Sequence, residues 1–251
     1  MPQPLSNVLR KAKIKGEINV SATALTRRPQ FTPQIMEVIA HLAHIDGDWG
    51  TIFSGLLKSD IVVGTAAYQA FNGLDARRRA LLAVAEKALR KWQFIALQAV
   101  WNQTNAARSA RDKFAHHVWG TVDELPDALL LMDSNVIVDM NMSYRQRAET
   151  TPDGGGVIRP EDFDRSKIFV YRKPDFDAAV KEAREAAWMV RLSYSAIGPR
   201  TWGHEVGRRQ LLNEPRFQQA VAKLIPENDP EVQAQLRPPT DGSPPPTGTW
   251  D

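Results

Sequence analysis

Cysteine is absent from the 251 residues, which removes disulfides, thiolate nucleophiles and cysteine-ligated zinc at once. Also missing is any long apolar run. Nothing approaches the ~20 consecutive apolar residues that a membrane-spanning helix requires. The opening MPQPLSNVLRKAKIKGEINV carries basic side chains without the uninterrupted apolar stretch of an export signal. A soluble, cytoplasmic protein with no membrane partner is the expectation. Charge of one sign is scarce as well: 32 basic against 29 acidic residues leave a formal +3. That is a slight bias toward anionic partners, not the field of a dedicated polyanion binder. Histidines number only 5, so places where histidine meets an acid are few.

What the chain does contain is an ordinary share of hydrophobic residues, 43%, enough to build a core. Residues 1–30 hold Arg10, Lys11, Lys13, Lys15, Arg27 and Arg28 among few large apolar side chains and read as a solvated basic arm. Thr32-Pro33 is a helix start. Behind it Ile35, Val38, Ile39, Leu42, Ile45 and Trp49 recur at three and four residues, and Ile52, Phe53, Leu56 and Leu57 continue the stripe beyond a soft spot at Asp46-Gly47-Asp48, the pattern of a helix with one buried face. A shorter helix over 61–71 stops at Asn72-Gly73, and a third opens at Leu74-Asp75 with Arg77, Arg78 and Arg79 in its first turn, where positive charge opposes the helix dipole.

The fourth helix is expected from about Lys91 to Val118, ended by Gly120. LLLMDSNVIVDM reads as two short apolar runs about a turn at Asp133-Ser134-Asn135, hence a small hairpin. TTPDGGGVIRPEDFDRS reads as a loop, KIFVY as a strand, and Pro174-Asp175 opens a last long helix closing near Gly198-Pro199. A short helix is expected around Phe217–Leu224. From Pro226 onward the composition is too polar and proline-rich to fold alone. The fold class is therefore mainly α, with a small β insertion at about 128–171 and disordered ends.

Chemistry concentrates in WNQTNAARSARDKFAHHVW, residues 101–119. Asp112 and His116 stand four apart on one helical face, with Asn105 on the same stripe. Asp112 is placed to accept a hydrogen bond from the imidazole of His116, fixing its tautomer and supporting proton exchange near neutral pH. Arg111 is one step round, and its planar guanidinium suits an anion that gains charge in a transition state. A histidine that moves protons beside an arginine that holds phosphate has the means to cleave RNA through its ribose 2′-hydroxyl without a metal. Spacing alone carries little, since 21 arginines and 5 histidines in 251 residues give about 0.4 pairs five apart by chance. The placement on a central helix carries more. His41 and His44 are the other histidine pair, and no third metal ligand follows them at a recognisable spacing, so no metal and no cofactor is expected.

The string ARDKFAHHVWG resembles the signature of HEPN domains, in which an arginine, usually followed by a polar residue, precedes a histidine by four to six intervening positions. Arg111, Asp112 and His116 fill those places. The likeness extends over roughly residues 31–198: a long first helix with Trp49 in its middle, an arginine-rich start to a later helix, the motif helix, then a β segment ending in VYRKPDF that leads into a closing helix. This resemblance implies an antiparallel helical bundle, residues 31–198, that forms a homodimer in which the motif helices meet. It also implies a metal-independent endoribonuclease of the toxin or defence kind, held in check by a neutralising protein partner, with Arg111 and His116 as the catalytic pair and Asp112 as the polar residue. His117 is the alternative histidine, and Arg108, Lys113, Arg77 and Arg78 are the expected contacts to RNA. Asparagine is common where this chain has Asp112. Two other readings belong beside it: a non-catalytic HEPN-like module that binds nucleic acid or a protein, and a helical scaffold whose 199–251 extension, with its PPP at 244–246, docks a partner.

Overall fold

The computed structural model describes residues 2–12, 18–21, 23–150, 164–197, 204–225 and 229–238. Among them the chain is mainly helical, with one small antiparallel sheet of five strands. In chain order the elements are β1 (Gln3–Pro4), α1 (Leu5–Ala12), β2 (Ile18–Val20), α2 (Ala24–Arg27), a 3-10 turn (Pro29–Phe31), α3 (Thr32–Leu57), α4 (Ile61–Ala70), α5 (Leu74–Ala88) and α6 (Lys91–His116). There follow β3 (Val118–Val122), β4 (Ala128–Met132), α7 (Ser134–Thr150), β5 (Ile168–Arg172), α8 (Lys173–Ile197), α9 (His204–Asn213), α10 (Pro215–Val221) and α11 (Pro230–Leu236). Contacts divide the chain into two compact units, Met1–Ile39 with Ser109–Lys181, and Ala40–Arg108 with Glu182–Asp251.

All five strands lie in the first unit, in the order β1-β5-β4-β3-β2. The central strand β4 is buried along its whole length, so both faces of the sheet are covered. Ala128, Leu130 and Met132 join Leu5, Val8 and Leu9 of α1, Val136 of α7, and Ile168 and Val170 of β5 in one apolar cluster. The intervening Leu129 and Leu131 point to the opposite face by the alternation of a strand. There Leu129 is paired with Tyr171 and Leu131 with Trp119, and both rings meet Phe114 of α6. Phe176 of α8 closes this aromatic group, 5.6 Å from Phe114 and 4.9 Å from Phe31.

Several expectations are corrected here. The 1–30 segment is no solvated arm in its described parts. Leu5, Val8 and Leu9, few as they are, fall on one side of α1 and are buried, while β1 and β2 pair with the two sides of the sheet. The fourth helix ends at His116, and Val118–Val122, VWGTV, is a strand. Its β-branched and aromatic residues prefer that pleated surface. The hairpin expected over 128–142 is half right: β4 stands, but it pairs with β3 and β5, and Asp133-Ser134-Asn135 begins a helix instead of a turn. The Asp133 carboxylate accepts the Asn135 N–H at 2.9 Å, which is the service an acidic residue renders at a helix start. Residues 230–236, within the stretch expected to stay unfolded, form α11. The side chain of Asp229 accepts the Val232 N–H, and Val232 and Leu236 are buried. The loop expected over 150–166 lies largely outside the described residues.

The second unit is helical throughout its described part. Its centre is the pair Trp49 and Trp101, fully buried with ring centroids 4.9 Å apart. Gly47 does not break α3, which runs unbroken from Thr32 to Leu57. That helix ends on a left-handed residue: Lys58 has φ 54, its N–H bonds to the Gly55 carbonyl, and the Ser59 N–H reaches the Ser54 carbonyl. This is the paired closure that glycine usually provides. A side chain in that conformation costs about 1 kcal/mol, so Lys58→Gly is expected to raise the unfolding free energy by about 1 kcal/mol. Urea unfolding followed by circular dichroism checks it, and a loss of stability would contradict the strain.

Candidate active site

Arg111, Asp112, Lys113, His116 and His117 all lie at the end of α6 or just past it, within the first unit. Phe114, 3% exposed, fixes this last turn by its burial among Trp119, Tyr171 and Phe176. Helical geometry then turns Asp112 and His116 to the opposite side, into solvent.

Arg111 holds the centre of the group. Its Nη1 donates to Asp112 Oδ1 at 3.1 Å and stands 3.5 Å from His116 Nε2. The side chains of Arg111 and Asp112 are 40 and 59% exposed, so an anion reaches the guanidinium without any rearrangement of the fold. This differs in one respect from the expected arrangement. The Asp112 carboxylate is drawn toward Arg111 next to it, because an arginine cation attracts it more strongly than an imidazole four residues on. An arginine can only donate, so a hydrogen bond at this contact requires His116 to turn the lone pair of Nε2 toward it, the tautomer that carries its proton on Nδ1.

His117 is set apart from this group. Partial burial lowers its pKa below the usual histidine value. Asp133 opposes the shift, while Lys113 and His116 reinforce it. Its backbone N–H closes on the Lys113 carbonyl. Of the two histidines, His116 is therefore the one beside Arg111.

The other expected RNA contacts are distributed differently. Arg108 and Asn105 belong to the second unit. There Arg108, only 12% exposed, forms an ion pair with Asp46, and together with Arg77 it opposes the effect of burial on Tyr68. That hydroxyl is nonetheless pushed up to about 12, chiefly by desolvation and with help from Asp46. Arg77 serves the end of α4, donating to the Phe71 and Gln69 carbonyls and lying over the Tyr68 ring at 5.7 Å. The positive charge that seemed misplaced at the start of α5 thus caps the preceding helix. Arg78 is half-buried, and Lys113 alone of these four is exposed beside the Arg111 group. Nothing in the sequence distinguished a capping arginine from a phosphate-binding one, since the difference lies in which carbonyls the fold brings near.

No group of three histidine, aspartate or glutamate side chains able to hold a metal occurs among the described residues. None of their helices is long and apolar enough to cross a membrane. No protein-family model, curated protein or solved structure matches the chain.

Proposed function

We propose that the protein is a metal-independent endoribonuclease acting through Arg111 and His116. The observation that supports this most directly is the 3.5 Å approach of Arg111 Nη1 to His116 Nε2 on an open face of α6. His116 Nε2 takes the proton of a ribose 2′-hydroxyl, and the freed oxygen attacks phosphorus. The bond to the 5′-oxygen breaks, leaving a cyclic phosphate and a 5′-hydroxyl, with the leaving oxygen protonated by His116 of a second copy in the homodimer that the resemblance implies. Arg111 holds a non-bridging oxygen as its charge grows, the differential binding that accelerates the step. Asp112 draws on the same guanidinium and moderates its grip.

The test is cleavage of a labelled RNA by the full-length chain in EDTA. Arg111→Ala and His116→Ala are each expected to lower the rate about a hundredfold, with little change in melting temperature because His116 is exposed and Arg111 only partly covered. Asp112→Asn is expected to leave cleavage intact or faster. Absence of cleavage by the unaltered chain, or cleavage by both alanine variants at the rate of the unaltered chain, overturns the proposal. RNA bound without cleavage and released steeply by salt assigns the same face to a binding module instead.

A further inference from the structure

Where the last turns of α3 meet the ends of α5 and α8, the second unit holds a pocket of about 600 Å³, within the ~300–1,000 Å³ range of small-molecule sites. From α3 it takes Ile52, Gly55 and Leu56, which share one helical face by their spacing. Leu89, just past α5, and Tyr194 and Ile197 of α8 complete the walls. One end is apolar and the other polar. Ile52 and Ile197 are 4 and 8% exposed, whereas Tyr194 is 43% exposed and Lys58 and Ser59 stand open to solvent at the mouth.

Lys58 is the one charged group among the described residues that line this pocket. Its ammonium pairs with no carboxylate among the described residues. Asp60, two positions on, gives its Oδ1 to the Val62 and Val63 N–H groups at the start of α4. The backbone of Lys58 supplies a second observation. Its φ of 54 is one that glycine adopts more easily, and a residue held in a strained conformation beside a pocket points to a use for its side chain.

We infer that the pocket binds an amphipathic monocarboxylate of the fatty-acid class, with its alkyl chain against Ile52, Leu56, Leu89 and Ile197 and its carboxylate at the mouth on the Lys58 ammonium. The aliphatic walls supply the affinity by burying the chain. With Tyr194 as the single ring in the lining, the site suits an alkyl chain better than stacked planar rings. The lysine supplies the sign: a carboxylate gains a charge-assisted bond there, and a cationic head meets like charge. The site lies wholly in the second unit, away from Arg111 and His116, and stands whether or not those residues cut RNA.

Isothermal titration calorimetry of the full chain with sodium decanoate and with decyltrimethylammonium, chains of nearly equal length under opposite charges, tests the assignment. Decanoate should bind saturably at one site per chain, at least about tenfold more tightly than the ammonium compound. Lys58→Gln should weaken decanoate about tenfold without weakening the ammonium compound. Lys58→Gly should lose the same factor while resisting urea better than the unaltered chain, a separation of binding from folding that a merely structural lysine would not give. Gly55→Phe should remove binding of both, since nothing lies within 4 Å of the Gly55 Cβ position and an added ring has space to enter the pocket. If that variant melts lower, the two lysine variants still decide. No saturable binding of decanoate, equal binding of the two heads, or a decanoate affinity unmoved by Lys58→Gln overturns the inference, as does binding retained by a folded Gly55→Phe chain.

Discussion

Phe114→Ala is expected to cost about 3–5 kcal/mol of unfolding free energy, the range for deleting a buried aromatic ring. The ring is 3% exposed and lies 6.0 Å from Trp119, 5.8 Å from Tyr171 and 5.6 Å from Phe176 between centroids. Three elements therefore lose contacts together, β3, β5 and α8, and none of their rings can fill the space without leaving another partner. Phe114→Leu, which keeps most of the volume, should cost under about 1.5 kcal/mol. Urea unfolding of both variants measures the difference. A loss below about 1 kcal/mol in the alanine variant would show that the aromatic group does not anchor the last turn of α6. The comparison matters for function, since Arg111 and His116 flank Phe114 in sequence and owe their placement to it. The leucine variant should keep RNA cleavage if that turn is held by bulk burial.

Gly64→Ala is expected to destabilise by about 3 kcal/mol, although alanine is favoured over glycine inside a helix by about 1 kcal/mol. A Cβ at position 64 would stand 2.5 Å from Ser54 Cβ and 2.5 Å from Ser59 Oγ. These are short side chains with no room to swing aside. Ser54 Oγ donates to the Asp60 carbonyl at 3.0 Å, so pushing α4 away also breaks the link that turns α3 into α4. Overpacking of this kind typically costs 1–3 kcal/mol. Gly47→Ala, at an exposed position of α3, is the control: nothing lies within 4 Å of its Cβ position, and the same substitution there should stabilise by up to about 1 kcal/mol. Opposite signs at the two glycines are the decisive result. A neutral Gly64→Ala would mean that α4 is not seated on Ser54.

The residues that made the long helices legible are the apolar ones at helical spacing. Val38, Leu42, Ile45, Trp49 and Ile52 are buried in α3 as their period requires, and Phe176, Val180, Ala183, Ala187 and Val190 are buried in α8. Leu57 and Tyr194 share those stripes yet remain exposed, because periodicity marks a face without saying how far its cover extends. The sheet was harder to read. Its strands are two to five residues long, too short for alternation to emerge, and Gln3 pairs with Val170, a partner that no local pattern can indicate. The start of α7 reads as a turn because aspartate, serine and asparagine serve turns and helix caps alike. At the candidate site, the nearness of Arg111, Asp112 and His116 followed from helical spacing. Which pair would bond did not, since a long arginine side chain reaches either neighbour.

Both outer strands of the sheet come from the first twenty residues: β1 covers β5 and β2 covers β3. The N-terminal segment therefore acts as a pair of guards against edge-to-edge polymerisation. Pro4 contributes on one side, since it offers no N–H to a further strand. A chain shortened to begin after Val20 would bare two unsatisfied strand edges at once, the ready templates for chain-on-chain growth that natural sheets keep hidden.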